Sequence, residues 1–264
     1  VVADRWRWWI LAAAGVLAII TIGRNEVYRD PVRLWRADVA ALPGNYRAHN
    51  NLGLALVRAG QMQEAVSHFQ HALALEPSFA EAHNNLGLAL AKLGYGDQAS
   101  AHYRRALAEK PAYASAHNNL GTALVAVGDS SGALRHFRQA VAIDSDFVSA
   151  YNNTGLLLTG AGDRRGAEAH YRRALVANPD YGQAHVNWGL LLAAEGRWGE
   201  ALGHYRRAVA VEPDLAIAHF NLGAALEETG REREAEQSYR VALSLDSTLY
   251  QVPYRLGLLV TAQG

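Results

Sequence analysis

Apolar and polar positions alternate along this chain on one fixed period. Leu52 and Leu56, then Ala65, Phe69 and Ala72, fall three to four residues apart within each half of the unit, and equivalent positions return 34 residues later. That spacing is the stripe of an amphipathic helix. A glycine divides each stripe, at Gly60, Gly94, Gly128, Gly162, Gly196 and Gly230, and Gly264 continues the series. Glycine suits the left-handed residue that ends a helix, so every period predicts two helices joined by a tight turn. Pro77, Pro111, Pro179 and Pro213 close the unit, with Ser145 and Ser247 in the other two places. Proline cannot continue a helix, so it marks the entry to the next pair.

The register holds without insertion or deletion. Asn-Leu-Gly or a variant begins at Asn51, Asn85, Asn119, Asn153, Asn187 and Asn221. Alanines follow at Ala65, Ala99, Ala133, Ala167, Ala201 and Ala235, then aromatics at Phe69, Tyr103, Phe137, Tyr171, Tyr205 and Tyr239. Glycine and alanine let two helices cross closely, and the aromatic fills the space they leave. One such pair cannot bury its apolar face, but stacked neighbours can, which predicts an all-α solenoid held by nearest-neighbour interfaces. The units run 46–79, 80–113, 114–147, 148–181, 182–215 and 216–249, and residues 250–264 supply the first helix of a seventh.

These columns resemble the tetratricopeptide repeat, whose pattern places small residues, Leu-Gly, Gly, Ala, an aromatic, Ala and Pro at these offsets. The resemblance covers residues 46–264 and implies a right-handed superhelical solenoid of antiparallel helix pairs. At the place where that pattern has an aromatic near the start of the first helix, this chain has His49, His83, His117, His185 and His219, with Tyr151 in the fourth repeat.

The first 45 residues carry other signals. Residues 6–23 read WRWWILAAAGVLAIITIG, uncharged from Trp8 onward. A spanning helix needs roughly 17–25 apolar residues, which places residues 1–24 as a hydrophobic, transmembrane helix at the short end of the range. Trp6, Trp8 and Trp9 gather at one edge, where aromatic side chains anchor a helix to the interface. A signal-peptide core is the other reading of the same stretch, although no small-x-small cleavage site follows Ile22. Residues 25–45 read as a linker and a capping half repeat. Asp30 as N-cap and Pro31 at N1 start a helix, and Trp35 and Pro43 fall in register with the aromatic and proline columns.

This junction is also similar to the last membrane helix and solenoid start of polytopic type-C, O-mannosyltransferase-like glycosyltransferases. The matching residues are Arg24-Asn25, Tyr28-Arg29-Asp30, Leu34-Trp35-Arg36 and Pro43-Gly44-Asn45. The resemblance implies a solenoid appended to a membrane enzyme on its extracytoplasmic side, in the periplasm or at the cell surface. The acidic catalytic residues of that family lie in membrane loops that have no counterpart here, so no catalytic residue carries over. The arginines Arg24, Arg29, Arg33 and Arg36 argue the opposite sidedness by the positive-inside rule.

Composition narrows the function classes. The 25 basic and 25 acidic residues cancel, so the basic footprint of a nucleic-acid binder is absent. With no cysteine there is no disulfide, thiolate metal site or cysteine nucleophile. No phosphate-binding glycine loop and no nucleophile–base motif occurs. The chain therefore reads as a non-enzyme without cofactor or metal.

The candidate binding residues are two asparagine columns: Asn51, Asn85, Asn119, Asn153, Asn187 and Asn221, and just before the first four of them Asn50, Asn84, Asn118 and Asn152. A carboxamide both donates and accepts, so it pairs with a peptide backbone without reading side chains. The repeats of O-GlcNAc transferases, which resemble these, imply such a peptide-holding ladder. The other reading is that each asparagine bonds a neighbouring loop or helix. The groove expected beside them is apolar, through Leu54, Leu88, Leu156 and Leu190.

Histidines form a second pair of columns, one at His49, His83, His117, His185 and His219 and one at His68, His102, His136, His170 and His204. Successive repeats lie 8–10 Å or more apart, too far for ligands that must sit about 2 Å from zinc. They read as packing or surface residues. The last helix carries Leu256, Leu258, Leu259 and Val260. An uncapped apolar end suits end-to-end contact with the first half repeat of another copy, at Trp35, giving oligomers or filaments.

The reading as a whole is a protein- or peptide-binding scaffold, the non-catalytic region of a membrane glycosyltransferase-like protein. The alternative is a structural protein that self-assembles through its solenoid ends.

Overall fold

The computed structural model describes residues 30–263, and among them there are 14 helices and no strand. The first, α1 (Pro31–Ala41), starts where Asp30 accepts hydrogen bonds from the backbone N–H of Val32 and Arg33. The chain then forms helix pairs: α2 (Tyr46–Arg58) with α3 (Met62–Leu75), and α4 (Ala80–Lys92) with α5 (Gly96–Glu109). Next come α6 (Ala114–Ala126) with α7 (Ser130–Ile143), and α8 (Val148–Gly160) with α9 (Arg164–Ala177). The last pairs are α10 (Gly182–Ala194) with α11 (Trp198–Val211) and α12 (Ala216–Glu228) with α13 (Glu232–Leu245), followed by α14 (Gln251–Gln263). The described residues form two compact units, one ending at Asn119 and the other beginning at Leu120, with the division inside α6.

Each pair is built by the same three devices. The turn glycine has a positive φ in every repeat, between 73° at Gly230 and 87° at Gly94, a backbone conformation that costs an L side chain about 1 kcal/mol or more. The helix glycine lies under the aromatic of its partner helix. A Cβ on Gly53 would come within 2.5 Å of the Phe69 ring, and one on Gly189 within 2.5 Å of Tyr205. The alanine columns are sealed: Ala65, Ala72, Ala99, Ala106, Ala201 and Ala208 have no exposed surface. Close helix approach, an aromatic wedge and methyl contacts thus pack the interior of each helix pair.

Burial and coverage by exposed ion pairs follow from the same geometry. Arg36 of α1 bonds Glu64 of α3 at 2.8 Å, and Lys110 bonds Glu81 at 2.8 Å. Other exposed arginines meet acids, with Arg105 on Glu109, Arg172 on Glu168 and Arg207 on Asp180. These are solvated contacts that contribute little individually.

Two expectations fall partly outside this description. Among the described residues no helix is long and apolar enough to cross a membrane. The hydrophobic helix read over residues 1–24, with Trp6, Trp8 and Trp9, lies outside the described residues. At the other end, Val252 and Leu259 of α14 are buried against Leu226 and Tyr239, and Leu256 packs half-buried on the same cluster. Leu259 thus belongs to the chain's own core. Trp35 on α1 is half-buried, and the side chains of Leu258 and Val260 lie outside the description.

Candidate functional site

The first helices of successive repeats touch one another, α2 with α4 in the first unit, and α8 with α10 and α10 with α12 in the second. Their shared face carries the asparagines. The two columns have separate fates. Asn50, Asn84, Asn118 and Asn152 are buried, whereas Asn51, Asn85, Asn119, Asn153 and Asn187 are half-exposed.

One bond joins the columns across three of the seams. Asn85 Nδ2 donates to Asn50 Oδ1 at 2.9 Å, Asn119 Nδ2 to Asn84 Oδ1 at 3.0 Å, and Asn187 Nδ2 to Asn152 Oδ1 at 2.9 Å. Asn153 Nδ2 also reaches Thr122 Oγ1 at 3.4 Å. The buried amide is therefore an acceptor that the next repeat satisfies, as a buried polar group requires. Asn85, Asn119 and Asn187 each spend one N–H on the ladder, and the carbonyl oxygens of Asn51 and Asn119 accept from the Asn50 and Asn118 amides at 3.5 Å. A carboxamide so held is oriented before any partner arrives, which lowers the entropic cost of binding.

The ladder changes at its C-terminal end. Val186 and Phe220 occupy the positions of the buried asparagines in the fifth and sixth repeats. Asn221 is buried, and its Nδ2 has no hydrogen-bond partner in the chain. Beside the amides stand exposed apolar side chains, Leu88, Val125, Leu156 and Leu190.

The histidine columns form pairs within repeats, a relationship that sequence reading missed. His49 and His68 meet Nδ1 to Nδ1 at 3.1 Å, His83 and His102 at 3.0 Å, and His185 and His204 at 3.0 Å. In each case the other nitrogen of the first histidine bonds the preceding proline carbonyl: Pro43, Pro77 and Pro179, at 3.0 to 3.1 Å. His117 and His219 make the same bond to Pro111 and Pro213. A signal was present in the chain. Every one of these histidines follows its proline by six residues, and the repeat with Ser145 for proline has Tyr151 for histidine. Burial pushes His204 down to about 4, helped by the neighbouring His185, and burial likewise lowers His68, His83, His102 and His185. The neutral rings act as hydrogen-bonding spacers. Among the described residues no group of three His, Cys, Asp or Glu side chains is placed to hold a metal ion. Burial also raises the phenol of Tyr103 to about 12, so the aromatic wedges stay neutral.

Comparison with known proteins agrees with this architecture. Tetratricopeptide repeat models match residues 28–73, 92–147 and 118–181, and another matches residues 216–249. A TPR repeat model matches residues 53–94 and 189–230. No curated protein matches the chain. Among solved structures, the APC/C heterotetramer Cut9–Hcn1 superposes with a TM-score of 0.79 at 16% identity, over 89% of this chain and 46% of that one. The chain thus spans under half the length of that relative. PilF of Pseudomonas aeruginosa gives 0.68 at 19% identity over 79% of this chain and 95% of that one. YrrB, described as a TPR protein with an unusual peptide-binding site, gives 0.50 at 21% identity over 70% of this chain and 95% of that one. At these identities the structural likeness shows the fold. The matches are to repeat proteins, and they lend no support to the glycosyltransferase resemblance of the junction at Arg24 to Asn45.

Proposed function

Because the chain belongs to the tetratricopeptide repeat family, we propose that it is a protein-interaction scaffold. It holds an extended polypeptide along the face of its first helices. The observation that carries this reading is the half-exposed amide column of Asn51, Asn85, Asn119, Asn153 and Asn187, of which Asn85, Asn119 and Asn187 are braced from behind by buried amides. A carboxamide carries both an acceptor and donors, the complement of a peptide group. The repeat spacing sets the step between successive contacts, and the exposed leucines between them meet side chains of the bound segment. The peptide-binding site of the similarly folded YrrB lends support to the same use of the scaffold.

A peptide display selection on the whole chain tests this. Peptides selected on the native chain should lose at least tenfold in affinity for a variant with Asn119, Asn153 and Asn187 all changed to alanine, with the helical circular dichroism retained. Unchanged affinity would remove the asparagines from the binding role.

Two finer placements are part of the proposal. The scaffold is carried at a membrane on its extracytoplasmic side, as the non-catalytic part of a glycosyltransferase-like protein. Its basis is the residue match at Arg24 to Asn45, and protease accessibility in intact cells against lysed cells tests it. Association of copies end to end through Leu256 and Trp35 is the second reading. Its support is the half-buried state of both side chains, and light scattering of the native chain against Leu256→Glu tests it.

A further inference from the structure

Within the second unit, a cavity of about 370 Å³ opens at the seam between the third and fourth repeats. Its walls include Val125, Phe137, Leu156 and Leu157, with Ser130 and Gly160 at positions where little side chain intrudes. The cause is readable from the repeat register. At the position of Ser130 the other repeats carry Met62, Gly96, Arg164, Trp198 and Glu232, and at that of Gly160 they carry Arg58, Lys92, Ala126, Ala194 and Glu228. The two truncations face one seam, and space remains where side chains would otherwise lie.

Gly160 itself has no internal reason to be glycine. It ends helix α8, where glycine is costly relative to alanine by about 0.5–1 kcal/mol. It is not among the residues with positive φ, unlike Gly162 two positions on. A Cβ placed on it would meet nothing within 4 Å. Gly155, one helical stretch earlier, is the contrast, since a Cβ there would lie 2.6 Å from the Tyr171 ring.

The chemistry of the lining specifies an occupant. No ionisable side chain borders the cavity, and its polar groups are the Thr122 and Ser130 hydroxyls and the Asn153 carboxamide. A charged group placed there would lose water without gaining a counter-charge, which is strongly unfavourable. Val125 and Leu156 are 42% and 53% exposed, a large apolar area left open beside a cavity. Asn153, a member of the half-exposed amide column, stands among the lining residues.

The geometry points to an anchor subsite here: it takes one large uncharged apolar side chain, leucine to phenylalanine in size, from an extended peptide whose adjacent peptide group meets Asn153. This deepens the peptide-binding reading above and rests on it. The volume lies within the range of about 300–1,000 Å³ typical of ligand sites that are mostly apolar with a few placed polar groups. An amide column alone holds any backbone, so the cavity adds a preferred register at the third-to-fourth repeat seam.

Single-residue probes test the subsite without a known partner. N-acetyl-leucinamide, N-acetyl-phenylalaninamide and N-acetyl-aspartamide are titrated into the isotope-labelled whole chain and followed by amide chemical shifts. The two apolar probes should shift Val125, Ser130 and Gly160 saturably, at roughly millimolar affinity as expected for ligands of a dozen or so heavy atoms. The aspartate probe should not. Gly160→Leu sets its Cβ in open space at an ordinary φ on the cavity wall, so it should keep the fold, occupy the cavity and abolish the shifts. Leu156→Asp, which places a charge at the mouth, should weaken them at least tenfold. Equal response to all three probes, no saturable shift, or shifts that survive Gly160→Leu would each overturn the subsite. Loss of peptide capture by a variant with Asn119 and Asn187 changed to alanine and Asn153 kept, with these shifts intact, would sink the amide column and leave the subsite standing. Peptides that bind the native chain and Gly160→Leu alike would sink the subsite and leave the amide column standing.

Discussion

His185 and His204 share one proton between their Nδ1 atoms, 3.0 Å apart. The Pro179 carbonyl can only accept, so His185 Nε2 carries a hydrogen and its Nδ1 is left as acceptor. His204 must then donate from Nδ1. One carbonyl thereby determines the tautomers of two rings.

A pH dependence follows with a definite sign. His204 has its pKa lowered to about 4 from 6.5 by burial and by His185. The unfolded chain therefore takes up a proton that the folded chain resists between those values. Stability is fully present above pH 6.5 and is lost as pH falls through that window. His68, His83, His102 and His185 are lowered in the same direction. Glu81 is held below its ordinary value by Lys110, so its contribution is lost only below about 4.5. Thermal melts should show a Tm that falls steadily from pH 6.5 to pH 5. A flat Tm over that range would contradict the neutral histidine pairs.

Gly155 and Gly160 separate two roles of glycine in one helix. Gly155→Ala drives a methyl into the Tyr171 ring, which is tethered by its hydroxyl to Thr159 at 3.1 Å. Overpacking of this kind costs about 1–3 kcal/mol. Gly160→Ala meets open space and should gain about 0.5–1 kcal/mol of helix stability. Urea midpoints that move in opposite directions would confirm both.

Asn221 offers a stabilising repair. Its Nδ2 is buried without a partner because Val186 stands where Asn152, one repeat earlier, serves Asn187. Val186→Asn supplies the missing acceptor. Some apolar contact of Val186 is lost, so the expected net gain is about 0.5–1 kcal/mol. The gain should vanish when Asn221 is also changed to valine. A loss of stability in the single variant would show that Asn221 does not take the ladder geometry.

The bond from Asn85 to Asn50 is measurable by a double-mutant cycle in urea. Asn50→Ala and Asn85→Ala should each destabilise the chain, with a coupling of about 0.5–1.5 kcal/mol. Zero coupling would mean that the two amides are held by water rather than by each other.

Much of this was legible in the chain. Gly60, Phe69 and Ala72 and their recurrences carry a helix pair and its stacking, because turn, wedge and close contact each demand one residue type at one offset. The asparagine columns were legible as candidates, but not the difference between them. Asn50 and Asn51 are neighbours with the same chemistry, and no local feature says which is buried. The histidines were legible as columns and not as pairs, since His49 and His68 meet only when α2 and α3 dock.

The sequence by itself determined everything that repeats within one period: two helices, a left-handed glycine turn, an aromatic over a glycine. Such features depend on backbone conformation and on neighbours a few residues away. Only the tertiary structure decided what happens at the seams. There Asn50 becomes the acceptor for Asn85, Asn221 loses its partner to Val186, and Ser130 and Gly160 leave a cavity. Burial and hydrogen bonding at a seam belong to two side chains a full repeat apart, and their meeting is set by how one pair of helices seats on the next.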